Sequence, residues 1–173
     1  MDLSWIRYDD LRSAVKNGTP FFIKRAIPDI QVSWDDIISN ANLCNDINDP
    51  IIYMQGTFIM HKTINVALDA LARPIRNELR SVYPGYNEYT SHIYSSIVAN
   101  AETFGRHKDK ADVFFLGLKG ITMFEVWDKN DVVSSYKVEA GDVIFVPWGA
   151  YHNTQAASPR SGISFGIERG YKF

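Results

Sequence analysis

Residues 113–138 read VFFLGLKGITMFEVWDKNDVVSSYKV. Val113–Leu118, Ile121–Trp127 and Val132–Val138 are short runs rich in Val, Ile and Phe, broken at Lys119-Gly120 and at Asp128-Lys129-Asn130-Asp131. Runs of this kind between Gly and Asx breaks read as antiparallel strands. The pattern continues outward. His92–Ala99 precedes it, and Asp142–Val146 and Gly162–Glu168 follow. The spacing of about ten residues is that of a sandwich, jelly roll or barrel. Gly117, Gly120, Gly141, Gly149 and Gly170 stand at the expected strand ends or turns, where positive φ is often needed.

The first half of the chain differs in period. Residues 8–16 read as a short helix stopped at Asn17-Gly18. Pro20–Ile27 reads as a buried strand, and Ile51–Gln55 as another. Ser33 fits the N-cap of a helix over Trp34–Asn40, with Asp35 and Asp36 in its first turn. The clearest helix is 63–80, where Ile64, Leu68, Leu71, Ile75 and Leu79 share a face and Pro74 should kink it. Arg73, Arg76 and Arg80 lie together on another face, read first as solvated, with a substrate-facing role as the alternative. The expected fold class is mainly β. A jelly-roll core, a double-stranded β-helix over 90–170, follows an extension of helices and strands over 1–89, all in a single domain of residues 1–173.

Composition agrees with a globular domain. Of the 173 residues, 46% are hydrophobic, 13% aromatic and 22% charged. A net charge of −2 makes no demand for nucleic acid or an acidic membrane. No apolar run reaches the roughly 18 residues of a membrane span. Met1-Asp2-Leu3-Ser4-Trp5 lacks the layout of a signal peptide. Cys44 is the single cysteine, so no internal disulfide forms, and a cytoplasmic location is the default expectation.

The four histidines are His61, His92, His107 and His152. On an extended strand the side chains of His107 and Asp109 point the same way, so an imidazole and a carboxylate converge. His152 lies beyond Gly141–Val146 and the Pro147-Trp148-Gly149 turn, and strands distant in sequence are neighbours in a jelly roll. Two imidazoles and one carboxylate leave open positions on a metal, as in the facial triad of non-haem Fe(II) oxygenases. Structural zinc would want four closed ligands, usually with cysteines. His61 and His92 have no acidic neighbour at ligand spacing and read as ordinary surface or core histidines.

Three stretches carry a resemblance: Glu102 to Asp109, Asp112 to Gly120, and Gly141 to His152. In that order they resemble the Jumonji-C and cupin-like 2-oxoglutarate oxygenases, and Pro20–Ala26 followed by Trp34 is similar to how those domains begin. Tyr53-Met54-Gln55-Gly56-Thr57 and Ile163–Ile167 resemble the asparaginyl hydroxylase branch that acts on hypoxia-inducible factor. The resemblance spans about residues 20–170. It implies that His107, Asp109 and His152 bind Fe(II), and that 2-oxoglutarate is the cosubstrate. It further implies that Tyr53 and Thr103 hold the cosubstrate and that Gln55 faces the substrate or the open side of the iron. The implied activity is hydroxylation or demethylation at a C–H bond of a peptide, protein or small molecule.

There is one departure. The position matching the family's basic anchor for the distal carboxylate is Thr122, which carries no charge. Arg160 is the substitute candidate and Lys119 a weaker one, because a carboxylate in a dry pocket wants a charge-assisted partner. If neither serves, the chain is a metal-binding cupin that does not use 2-oxoglutarate, such as an isomerase, another dioxygenase or a sensor. A non-catalytic interaction domain is the third reading. The substrate itself and a homodimer stand as open expectations.

Overall fold

The computed structural model describes residues 1–84 and 86–169. A 3-10 turn over Ser4–Arg7 leads into α1 (Asp9–Asn17), then β1 (Phe21–Ile23), α2 (Trp34–Asp46), β2 (Ile52–Met54), β3 (Thr57–Met60) and α3 (Val66–Val82). The strands that follow are β4 (Tyr86–Ser96), β5 (Asp112–Lys119), β6 (Thr122–Trp127), β7 (Val133–Val138), β8 (Val143–Val146), β9 (His152–Ala156) and β10 (Arg160–Arg169). They form a seven-stranded sheet in the order β1-β8-β5-β10-β4-β3-β2 and a three-stranded sheet in the order β7-β6-β9. Each pairing is antiparallel. The mainly β jelly-roll class read from the sequence is the one observed.

Side-chain alternation along β5 divides the core in two. Phe114, Leu116 and Leu118 face the helices and pack with Trp5, Ile6, Leu68, Ile75, Leu79, Ile163 and Phe165. Val113 and Phe115 face the small sheet and pack with Phe124, Val126, Val138, Ile144 and Val146. Seven of the strand's eight residues are therefore buried, which is why it reads as a near-continuous apolar run. Burial of a side chain of this size is worth about 1.5–3 kcal/mol.

The helices begin where the capping residues put them. Asp36 N–H donates to Ser33 Oγ at 3.1 Å, and Ser33 N–H donates back to Asp36 Oδ2 at 2.8 Å. The helix then runs six residues past the expected end at Asn40. Buried Asn40 is no terminator: its Oδ1 accepts from Ile64 N–H at 2.7 Å and Asn65 N–H at 3.0 Å, and its Nδ2 donates to the Lys62 carbonyl at 2.9 Å. Asn65 caps α3 through Ala67 N–H at 2.9 Å, so that helix starts at Val66 rather than 63, and it continues through Pro74.

Other boundaries moved for local reasons. The expected strand 20–27 ends at Ile23, because Arg25 takes a left-handed φ of 52° and buried Asp142 accepts from its N–H at 2.9 Å. Gln55 and Gly56 form a positive-φ turn, making β2 and β3 a hairpin that the sequence reading had only half of. β4 extends to Ser96 and not to Ala99. His152 does not merely follow a turn but opens β9. Gly170 lies outside the described residues. Among the described residues, no helix is long and apolar enough to cross a membrane.

Candidate metal centre and its cavity

His107 and His152 are brought together by the main chain. Each donates its N–H to the other's carbonyl, at 2.9 and 2.8 Å, forming an isolated antiparallel bridge. Gly149 N–H donates to the Asp109 carbonyl at 3.1 Å, so the Pro147–Ala150 turn anchors the carboxylate-bearing residue as well. Asp109 does not sit on a strand, as the His-x-Asp spacing had suggested. His107 makes only an isolated bridge, and Asp109 lies in the loop that follows it.

Facing ligand atoms of His107, Asp109 and His152 all lie within 4.8 Å of one another. His107 Nε2 stands 3.7 Å from Asp109 Oδ1, and His152 Nε2 stands 3.6 Å from Asp109 Oδ2. The opposite ring nitrogens are occupied: His107 Nδ1 bonds the Gly105 carbonyl at 2.8 Å, and His152 Nδ1 the Ala150 carbonyl at 3.2 Å. A carbonyl only accepts, so each Nδ1 carries the hydrogen and each Nε2 presents its lone pair to the centre. This is the arrangement that fixes tautomer and ring orientation in metal-ligating histidines. Burial, and then the neighbouring His107, push the pKa of His152 down, which favours the neutral, ligating form.

Beyond the three groups runs a narrow cavity lined by Tyr94, Thr103, Phe115, Phe124, Thr154 and Arg160, among others. Its free volume of about 40 Å³ would hold about three waters. It therefore admits a slender group rather than a bulky one. Arg160 is only 1% exposed, and its Nε and Nη2 have no hydrogen-bond partner. Burial lowers its pKa to about 10, so the guanidinium stays charged at neutral pH. Burial raises the Tyr94 phenol to about 12 and keeps it a neutral donor. Thr103 Oγ1 and Thr154 Oγ1 share a hydrogen bond of 3.1 Å on the cavity wall.

The other sequence candidates fare differently. Tyr53 is 66% exposed on the sheet edge, with its ring 5.0 Å from that of Phe58, and does not line the cavity. The hairpin turns it outward. Gln55 is also absent from the lining; its carbonyl accepts from Glu102 N–H at 3.1 Å and so holds the segment leading to His107. Thr122 is buried on the inward face of β6 with Phe124 and Val126 but is not a lining residue, and neither is Lys119. Arg106 stacks over Trp127 at 4.6 Å and Tyr151 at 4.8 Å, placing those rings in packing beside the ligand segment.

Sequence reasoning missed Tyr94, Thr154 and Ser164. Tyr94 and Thr154 were hidden because one chain position says nothing about which face of a strand is turned inward. For Tyr94 the register assigns that face, pairing it with Gly162 and His92 with Ser164; for Thr154 the pairing with Phe124 across the small sheet does so.

No family model and no curated protein matches the chain. Solved structures do. An Escherichia coli ycfD structure superposes with a TM-score of 0.71 at 17% identity over 95% of this chain and 54% of that one. A structure of YcfD, a ribosomal oxygenase from the same organism, in complex with cobalt and 2-oxoglutarate gives 0.68 at 20% identity, over 88% and 49%. A Pseudomonas putida prolyl-4-hydroxylase gives 0.60 at 13% identity over 92% and 97%. The chain spans about half the length of YcfD. At these identities the likeness establishes the fold alone, the mainly β jelly roll described above.

Proposed function

We propose that this chain is an Fe(II)- and 2-oxoglutarate-dependent oxygenase that hydroxylates a C–H bond of a protein or peptide. The observation that carries it is a buried guanidinium, with Nε and Nη2 lacking a hydrogen-bond partner, in the same narrow cavity as two imidazoles and a carboxylate. The donor set fits the group: two nitrogens and one carboxylate on one side suit non-haem Fe(II), and Arg160 suits the far carboxylate of a slender diacid. When bound, iron, 2-oxoglutarate and O₂ supply oxidation of the diacid to succinate and CO₂, with one oxygen atom entering the substrate.

The chain's own residues hold and orient. His107, Asp109 and His152 would take one side of the metal and leave the other open. Arg160 would form charge-assisted hydrogen bonds to the distal carboxylate, with the Tyr94 phenol as a second donor. Val113, Phe115 and Phe124 line the same cavity and keep water from the reacting centre.

A protein substrate is the reading supported by two fold neighbours, a ribosomal oxygenase and a prolyl-4-hydroxylase. The asparaginyl hydroxylase branch has less support, because Tyr53 stands outside the cavity and Tyr94 with Arg160 occupies that place. The test is to load purified protein with Fe(II) and measure succinate formed from 2-oxoglutarate under O₂. Succinate release above a His107→Ala control supports the reading. Absence of both turnover and 2-oxoglutarate binding in metal-loaded protein overturns it in favour of a cupin that takes another acid.

A further inference from the structure

The basic residues and histidines that this site leaves unused meet elsewhere. β3 pairs with β4 only from Ile93 to Ser95, so the Thr90–His92 end of β4 runs on past its partner. Beside that open edge lies a second cavity of about 340 Å³, lined by His61, Lys62, Arg76, Thr90, Ser91 and His92 among others. Among the described residues that line it, none carries a carboxylate.

We propose that this cavity binds a phosphate-type oxyanion, independently of the metal centre. Arg76 reaches down from α3 and donates from Nη1 to Ser91 Oγ at 2.9 Å. Asp69 is paired closely with Arg73 and lies 4.0 Å from Arg76. Burial lowers the Arg76 pKa, and the nearby Arg80 and Arg73 lower it further. Lys62 is shared with Asp49 at 3.5 Å and is 56% exposed. The rings of His61 and His92 meet edge to face, 4.7 Å between centroids.

Two ligand classes compete for such a cluster. The imidazole pair resembles the His107–His152 pair, whose centroids are 4.3 Å apart. There, however, the third group is a carboxylate, whereas here the neighbours are a guanidinium and an ammonium, which repel a metal cation. Guanidinium, ammonium, imidazole and hydroxyl groups contributed by one strand, a loop and a helix suit a tetrahedral anion with several acceptor oxygens. Among the described residues, Arg76 is the one member of the Arg73, Arg76 and Arg80 cluster that lines a cavity with His61 and His92.

The test is calorimetric titration of the full chain with inorganic phosphate, and in a second arm with phenyl phosphate. Wild-type protein should saturate with phosphate, Arg76→Gln should weaken binding about tenfold or more, and His61→Ala should weaken it severalfold. Arg76→Lys should retain part of the affinity, which separates loss of charge from loss of fold. His107→Ala and Arg160→Met should bind phosphate as wild type does. Equal or tighter binding of phenyl phosphate assigns the site to a monoester ligand; tighter inorganic phosphate assigns it to the free ion. Absence of saturation overturns the proposal. So does binding that survives Arg76→Gln but is lost in Arg160→Met, and so does His61-dependent uptake of Zn(II) without phosphate binding.

Discussion

His107 and His152 clasp each other through their own peptide groups, N–H to carbonyl both ways at 2.9 and 2.8 Å. Their separation is therefore set by backbone and not by the rotamers of two flexible side chains. The turn between β8 and β9 adds Gly149 N–H on the Asp109 carbonyl, so all three candidate ligands hang on one small hydrogen-bonded frame. Such a frame restricts the donor atoms before any ion arrives, which reduces the ordering cost of binding.

Removal of any one of these three side chains should release a divalent metal. For His107→Ala, Asp109→Ala and His152→Ala, the Mn(II) affinity followed by electron paramagnetic resonance should fall by more than the roughly 10–100-fold that loss of an outer partner costs. His61→Ala should leave Mn(II) affinity at the wild-type value. Retained affinity in two of the three ligand variants would remove the centre.

Arg160 separates folding from binding. A buried cation with unpaired donors carries a desolvation cost that no partner offsets, so its replacement by an apolar chain of similar size should not lower stability. Arg160→Met should therefore unfold in urea at or above the wild-type midpoint. In wild-type protein loaded with Mn(II), 2-oxoglutarate at a hundredfold its Kd should add about 2.7 kcal/mol. That gain should vanish in the variant. A variant that loses stability while keeping the 2-oxoglutarate gain would make Arg160 a strut.

The sequence carried some of this and hid the rest for identifiable reasons. Strands buried on one or both faces, such as β5 and β6, announce themselves by period and by their breaks. His107, Asp109 and His152 were legible because their residue types are chemically restricted and their order is distinctive. Tyr53 was misplaced because a tyrosine on an edge hairpin and one on an inner strand look alike until register is known. Tyr94 is the converse: it stands where β4 is held between β3 and β10, a long-range pairing that no local pattern encodes. Arg160 was legible as a candidate only; its burial without a partner is a property of the fold.

Gly120 couples the fold to the cavity. Its φ is +61°, and a Cβ there would stand 1.8 Å from the carbonyl oxygen of Pro159, the residue before Arg160. Gly120→Ala should cost about 2–4 kcal/mol, from left-handed backbone strain and from overpacking. Because relief requires Pro159 to move, 2-oxoglutarate binding should weaken together with stability. A stable variant with wild-type binding would show that the 158–160 turn yields freely.

Acid sensitivity should trace in part to Glu139. Hydrogen bonds from Lys137 at 2.8 Å and Lys24 at 2.5 Å hold its carboxyl down to about 2, against 4.5 ordinarily. A depressed carboxyl stabilises the fold in full above its unfolded value and loses that contribution as pH falls through its folded one. The stability difference between wild type and Glu139→Gln should thus be constant above about pH 5 and shrink toward zero between pH 4.5 and 2. The group faces solvent, so the difference should also shrink at about 1 M salt, where the screening length is about 3 Å. Urea midpoints for the two proteins at pH 6, 4 and 2.5 decide it. A difference that persists unchanged at the lowest pH would assign the effect to packing of the side chain instead of its charge.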